Sequence, residues 1–261
     1  MIIVIMKARI QERLREIEKQ YGFRIIYACE SGSRAWGFAS EDSDFDVRFI
    51  YCWSPEQYLG IYDPVDQVDL GVDRENLDFS GWDLRKALPL FRKSNGVLME
   101  WLHSPIMYFE EEETMEHWRS LAEQYFLPKA TTAHYLGLCR KIWLGSLEKD
   151  EITAKKYLYV LRSLLSARYI CENLSIPPVE FFKTLNALEI YPTVRGAVDT
   201  MIVAKANQKE AETIPRISVL DDYIEEERLA INEIVSQLPN DEVSVEDLDR
   251  FFRNTIGFQG D

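Results

Sequence analysis

Ser31-Gly32-Ser33-Arg34-Ala35-Trp36-Gly37, followed by Ser43-Asp44-Phe45-Asp46-Val47-Arg48, sets a Gly/Ser turn ahead of two carboxylates one residue apart. The reading of the whole chain turns on this pairing. The residues before it, Arg24-Ile25-Ile26-Tyr27-Ala28-Cys29, are β-branched and aromatic, which predicts a strand and makes Ser31–Gly37 the turn that leaves it. Glycine tolerates the unusual dihedrals of such a turn. Successive backbone N–H groups there converge on anions, with the Ser31 and Ser33 hydroxyls as further donors and Arg34 as compensating charge, a donor set that suits phosphate oxygens.

Phe45–Tyr51 predicts the next strand, and because side chains alternate along a strand, Asp44 and Asp46 are expected on one face with Phe45 and Val47 on the other. Two carboxylates that close repel unless a cation lies between them, so the pair points to a divalent metal. Oxygen-only ligands favour magnesium or manganese over zinc. A second strand-to-helix passage, Asn76-Leu77-Asp78-Phe79-Ser80-Gly81-Trp82, offers Asp78 between hydrophobes as a third carboxylate on an adjacent strand. Three carboxylates can hold two metals for an in-line phosphoryl displacement.

Other acids and bases divide less cleanly. Asp69, in Gln67-Val68-Asp69-Leu70-Gly71, alternates like a hairpin residue and is the main rival to Asp78. Asp83 follows Ser80 at capping-box spacing, at the start of an expected Trp82–Arg92 helix, and is assigned to structure. Arg48 shares the Asp44/Asp46 face, with contact to phosphate and pairing to an acid equally open. Glu30 reads as a solvated acid beside the turn, and Trp36 either as a base-stacking platform or as a buried anchor.

Taken in order, Gly32-Ser33, Asp44-x-Asp46 and the hydrophobe-flanked Asp78 resemble the DNA polymerase β nucleotidyltransferase superfamily. More narrowly, Gly32–Gly37, Ser43–Tyr51, Gly81–Leu88, Lys155–Arg162 and Ile176–Glu180 resemble its bacterial and phage branch, the RNA-repair-pathway polymerase-β-like nucleotidyltransferases. The resemblance implies that Gly32 and Ser33 grip the β- and γ-phosphates of a nucleoside triphosphate, ATP being one candidate. It implies that Asp44 and Asp46 bind both Mg2+ or Mn2+ ions, and that Asp78 completes the catalytic site. Arg34, Arg48, Lys155 and Lys156 are the expected further nucleotide contacts. The implied reaction moves NMP from the NTP to an acceptor hydroxyl with release of pyrophosphate. An RNA or tRNA end is the leading acceptor and a protein hydroxyl a lesser one. The alternative is a nucleotide-binding regulatory or antitoxin-like protein without turnover.

A chain of 261 residues, 46% of them hydrophobic and 12% aromatic, can bury the cores of two domains. Ile10, Leu14 and Ile17 mark an amphipathic helix, followed by strands near 24–29, 45–52, 66–72 and 76–80 and the Trp82 helix, which Asn95-Gly96 stops. Ile106–Phe109 is strand-like and Glu111–Tyr125 helical. After Pro128 the pattern is helical over 129–147, 152–172, 178–188, 194–209, 218–237 and 245–254, with breaks at Lys149-Asp150, Pro177-Pro178, Pro192 and Pro215. The expected fold class is α+β: a small mixed-sheet nucleotidyltransferase domain over 1–127, followed by an all-α substrate- and nucleotide-binding domain over 128–261.

The net charge of −14 argues against broad, nonspecific nucleic-acid binding, although Lys129–Arg168 carries eight basic residues against Glu148, Asp150 and Glu151. Met1–Met6 is apolar but too short for a signal peptide, and no stretch approaches a membrane span. Cys29, Cys52, Cys139 and Cys171 form no Cys-x-x-Cys pair, so a reducing cytoplasm is expected.

Overall fold

A computed structural model describes residues 2–146, 151–207, 213–241 and 243–258; the predicted break at Lys149-Asp150 lies outside the described residues. The chain forms two compact units, one of Met1–Ala35, Asp44–Tyr125 and Glu242–Asp261, the other of Trp36–Ser43 and Phe126–Asp241.

The first unit opens with α1 (Ile2–Tyr21), β1 (Arg24–Glu30) and α2 (Gly32–Trp36), so the expected turn contains a short helix. It continues through β2 (Phe45–Cys52), α3 (Pro55–Tyr58), β3 (Gln67–Val72), β4 (Leu77–Asp83), α4 (Leu84–Arg92), α5 (Gly96–Leu102), β5 (Met107–Glu110) and α6 (Glu112–Tyr125). The strands make one mixed sheet in the order β3-β4-β2-β1-β5. β2 and β4 run parallel and every other pairing is antiparallel. Alternation sends Val47, Phe49, Leu77 and Phe79 to one face, where they bury against Ile10, Leu14 and Ile17 of α1. Gly81 lies beneath Phe49, whose ring would be 2.1 Å from any Cβ placed there. On the opposite face the Trp82 ring is 4.2 Å from Trp101, and the Tyr27 hydroxyl donates to the Trp101 carbonyl at 2.6 Å.

β4 runs through Asp83, so Trp82 is a strand residue and the helix begins two residues later than its sequence pattern predicts. Ser80 is not the cap; Asp83 is. Its Oδ1 accepts from the Arg85 N–H at 2.8 Å and its Oδ2 from the Tyr58 hydroxyl at 2.6 Å. Similarly, Asn95 does more than stop α4, for its Oδ1 accepts from the Leu98 N–H at 3.1 Å and caps α5.

Asp83 is 2% exposed, and burial pushes its carboxyl up to about 6 despite these hydrogen bonds. The folded chain therefore holds a proton that the unfolded chain, with an ordinary aspartate near 3.9, has released. Stability then falls as pH rises between those values, by at most about 3 kcal/mol. Asp83→Asn keeps a good N-cap and is expected to remove this part of the pH dependence. Urea unfolding of both proteins from about pH 4 to about pH 7 checks it; parallel curves would contradict it.

The second unit contains α7 (Pro128–Leu144), β6 (Glu151–Thr153), α8 (Ala154–Asn173), α9 (Phe181–Ala187), α10 (Pro192–Asn207), β7 (Thr213–Pro215) and α11 (Ser218–Ile234). β6 and β7 pair as an antiparallel ribbon within the half expected to be an all-α domain, β7 lying at the predicted break at Pro215. Three-residue strands leave too little alternation to detect. Trp36 is a buried anchor in this unit: its ring lies 4.9 Å from that of Tyr159, and the Arg162 guanidinium stacks on it at 3.9 Å.

α12 (Glu246–Ile256) returns to the first unit. Phe251, 1% exposed, packs 5.3 Å from the Trp118 ring, while the Tyr125 hydroxyl and Arg92 Nε donate to the carbonyls of Ser244 and Val243. Phe251→Ala should cost about 3–5 kcal/mol in denaturant unfolding. A loss below about 1 kcal/mol would mean that α12 does not belong to that core. Among the described residues, no helix is long and apolar enough to cross a membrane.

Candidate active site

The end of β1 and the start of β2 are fastened to each other at Asp46. The Ser31 N–H donates to the Asp46 carbonyl at 2.8 Å, and the Asp46 N–H donates to Glu30 Oε1 at 2.7 Å. The second oxygen of Glu30 accepts the Tyr108 hydroxyl, and the Ser104 hydroxyl donates to the Glu30 carbonyl at 2.6 Å. Glu30 is thus not a solvated acid. It is 1% exposed, and burial pushes its carboxyl up to about 7. The available signal was its position at the end of a strand whose six preceding residues are mostly hydrophobic. Glu30 clamps the Asp46 backbone, and the Tyr108 hydroxyl holds the Glu30 carboxyl in place.

Asp46 and Asp78 are register partners across the parallel β2–β4 pair, which puts both on one face of the sheet. Arg48, two residues along the same strand, shares that face. Its Nη2 donates to Asp46 Oδ1 at 2.8 Å and to Asp78 Oδ2 at 2.7 Å. Its Nη1 donates to the carbonyls of Asp78 and Val47 at 3.0 and 3.2 Å. All three side chains are largely buried. Gly32 closes the other side with φ +60°; a Cβ there would lie 1.9 Å from Asp46 Oδ2. Only glycine leaves room for that carboxylate oxygen.

The remaining candidates are placed differently. Asp44 precedes β2 by one residue and is half-buried, and its carbonyl accepts from Arg34 Nε at 3.0 Å while the Arg34 guanidinium stacks 3.8 Å over Phe45. Ser33 is buried in α2. Asp69 is exposed on edge strand β3 and accepts from the Gly71 N–H at 3.1 Å. Lys155 and Lys156 begin α8 in the second unit, where the Thr153 hydroxyl caps the Lys156 N–H at 3.2 Å. Gly32, Asp46, Arg48 and Asp78 are therefore the residues the first unit gathers at one point. A cavity of about 650 Å³ in that unit, lined by Tyr58, Asp83, Arg85 and Lys93, lies at the far end of β4 from Asp78.

Among the described residues no group of three or more His, Cys, Asp or Glu side chains is gathered closely enough to hold a metal. The two facing carboxylates nevertheless suit a hard cation. Nη2 of the cationic Arg48 guanidinium lies within hydrogen-bond reach of both, and Asp46 Oδ2 fits into the space left by the missing Cβ of Gly32.

A family model described as the RNA repair pathway DNA polymerase beta family matches residues 6–254. A protein of Bacillus subtilis strain 168, described as the uncharacterized protein YcgL, is 40% identical over 252 residues, covering 96% of each chain. The crystal structure of a nucleotidyltransferase-like protein from Exiguobacterium sibiricum 255-15 aligns with 97% of this chain and 81% of its own. Its identity is 11% and its TM-score 0.30, a likeness too low to carry an argument.

Proposed function

The chain belongs to the RNA repair pathway DNA polymerase beta family and is a nucleotidyltransferase; from that premise we propose that it moves a nucleoside monophosphate from an NTP onto the terminal hydroxyl of an RNA, with Mg2+ or Mn2+ held by Asp46 and Asp78. The observation that carries the reading is the register pairing of these two carboxylates around one shared cation position.

Asp46 is fixed through its backbone, which Glu30 and Ser31 bind on both sides. Gly32 lets the turn approach its carboxylate, and Ser33 and the turn amides are the proposed β/γ-phosphate contacts. Arg34 holds Asp44 by its carbonyl at the entrance to β2, the position from which it would join the metal ligands. Lys155 and Lys156 are proposed as nucleotide contacts on the family resemblance alone. A bound divalent ion supplies charge stabilisation for the attacking and leaving oxygens. The residues themselves contribute positioning and electrostatics, which suffice for phosphoryl chemistry without a histidine base.

The test is incubation of the full chain with each α-labelled NTP, Mg2+ or Mn2+ and separate pools of total RNA and total protein, beside Asp46→Asn. Label in RNA that depends on Asp46 supports the proposal. Label confined to protein moves the acceptor class, and NTP binding without transfer to either pool favours a regulatory role.

A further inference from the structure

Resting on the reading of Asp46 and Asp78 as metal ligands, we infer that Arg48 is the counter-cation of the unloaded site, and that a divalent ion binds there by displacing its guanidinium. One nitrogen, Nη2, bridges Asp46 Oδ1 and Asp78 Oδ2 at 2.8 and 2.7 Å. A divalent ion held by the same two oxygens would have to replace that nitrogen as their shared partner. Two cations cannot occupy one position, so metal and Nη2 exclude each other.

The rest of Arg48 is built for such an exchange. Nη1 is held by the Asp78 and Val47 carbonyls, contacts that belong to the strands and do not depend on either carboxylate. Arg48 lies on the same strand as Asp46, so withdrawing Nη2 requires a change of side-chain torsions and leaves the β2–β4 ladder intact. Without Arg48, Asp46 and Asp78, register partners on adjacent strands, would lose the nitrogen they share, and like-charge repulsion between them would be less offset. Arg48 therefore does two things at once: it keeps the unloaded carboxylates together, and it sets how much metal is needed to load them.

The expected result is that Arg48→Met binds Mn2+ alone at least about tenfold more tightly than the wild type, a gain of the size expected when one competing ion pair is removed. Arg48→Lys should fall between them, since an ammonium still offers the acids a positive charge but lacks the second nitrogen that the Asp78 and Val47 carbonyls hold in place. Electron paramagnetic resonance of free Mn2+ reads this on the full chain without turnover, with Asp46→Asn as the control that abolishes the site. If wild-type binding depends on Asp46 but Arg48→Met binds Mn2+ no tighter, or more weakly, the displacement is wrong while the metal reading stands. If wild-type binding does not depend on Asp46, the metal reading itself fails. The wild type provides a second readout should the variants misfold. Phenylglyoxal labelling of Arg48, read by peptide mass spectrometry, should accelerate as Mg2+ is added; labelling that is unchanged or slowed overturns the inference.

Discussion

Asp46→Asn is expected to leave a folded protein whose nucleotidyl transfer has fallen about a thousandfold or more. The side chain is nearly isosteric, and the bonds that place residue 46 are made by its backbone to Glu30 and Ser31, so they survive the change. What is lost is one negative charge at the shared cation position. Several kcal/mol of charge stabilisation in phosphoryl transfer is conventionally assigned to the metal such a charge holds, and each 1.36 kcal/mol is tenfold in rate. Asp78→Asn should behave alike, because its carboxylate shares the same Arg48 nitrogen. Single-turnover transfer from α-labelled NTP, together with circular dichroism to verify folding, decides the matter. Activity within tenfold of the wild type would remove Asp46 from the chemistry.

The second large effect is expected at Gly32→Ala. The residue has φ +60°, where an L side chain costs about 1–2 kcal/mol, and its Cβ would approach Asp46 Oδ2 to 1.9 Å. Something must shift, and the flexible partner is the carboxylate itself. Displacing a reacting group by about 1 Å costs on the order of a hundredfold in rate, so transfer should fall by that much while unfolding is destabilised by only about 2 kcal/mol. Gly22→Ala, at φ +81° with nothing within 4 Å of an added Cβ, carries a similar backbone cost without touching Asp46 and serves as the comparison. Stability and transfer both near wild type in Gly32→Ala would show that the turn does not press on Asp46.

Most of this arrangement was legible because it is local. β1, β2 and β3 fall within a residue or two of their alternating stretches, and the turn and its two aspartates stand in one short segment. β4 illustrates where legibility ends: Ser80-Gly81-Trp82-Asp83 carries a cap-like spacing that favours a helix start, yet pairing with β2 extends the strand through Asp83. A parallel partner thirty-odd residues away leaves no mark on local periodicity. Glu30 was misread for the same reason, since its partner Tyr108 comes from β5, an edge strand remote in sequence. Arg48 was ambiguous because the register that sets Asp78 opposite Asp46 was unknown, and with it the position of the guanidinium between them. The pairing of α12 with α6 is likewise nonlocal. Its amphipathic pattern marks a helix but does not name the surface it covers.

That last helix has a consequence for how the protein comes into being. Phe251 fills the layer behind Phe91 and Trp118, so the sheet bearing Asp46 and Asp78 lacks part of its support until residues 243–258 exist. Between Tyr125 and that segment the ribosome must make the whole intervening stretch, a delay on the order of ten seconds at about 5–20 residues per second. By the end of that interval the second unit has its sequence complete and can fold, while the first still waits with an open aromatic face. A nascent chain, or one cut short ahead of α12, would thus carry both aspartates without the backing that holds their strands in place, and nucleotidyl transfer becomes a property of finished molecules.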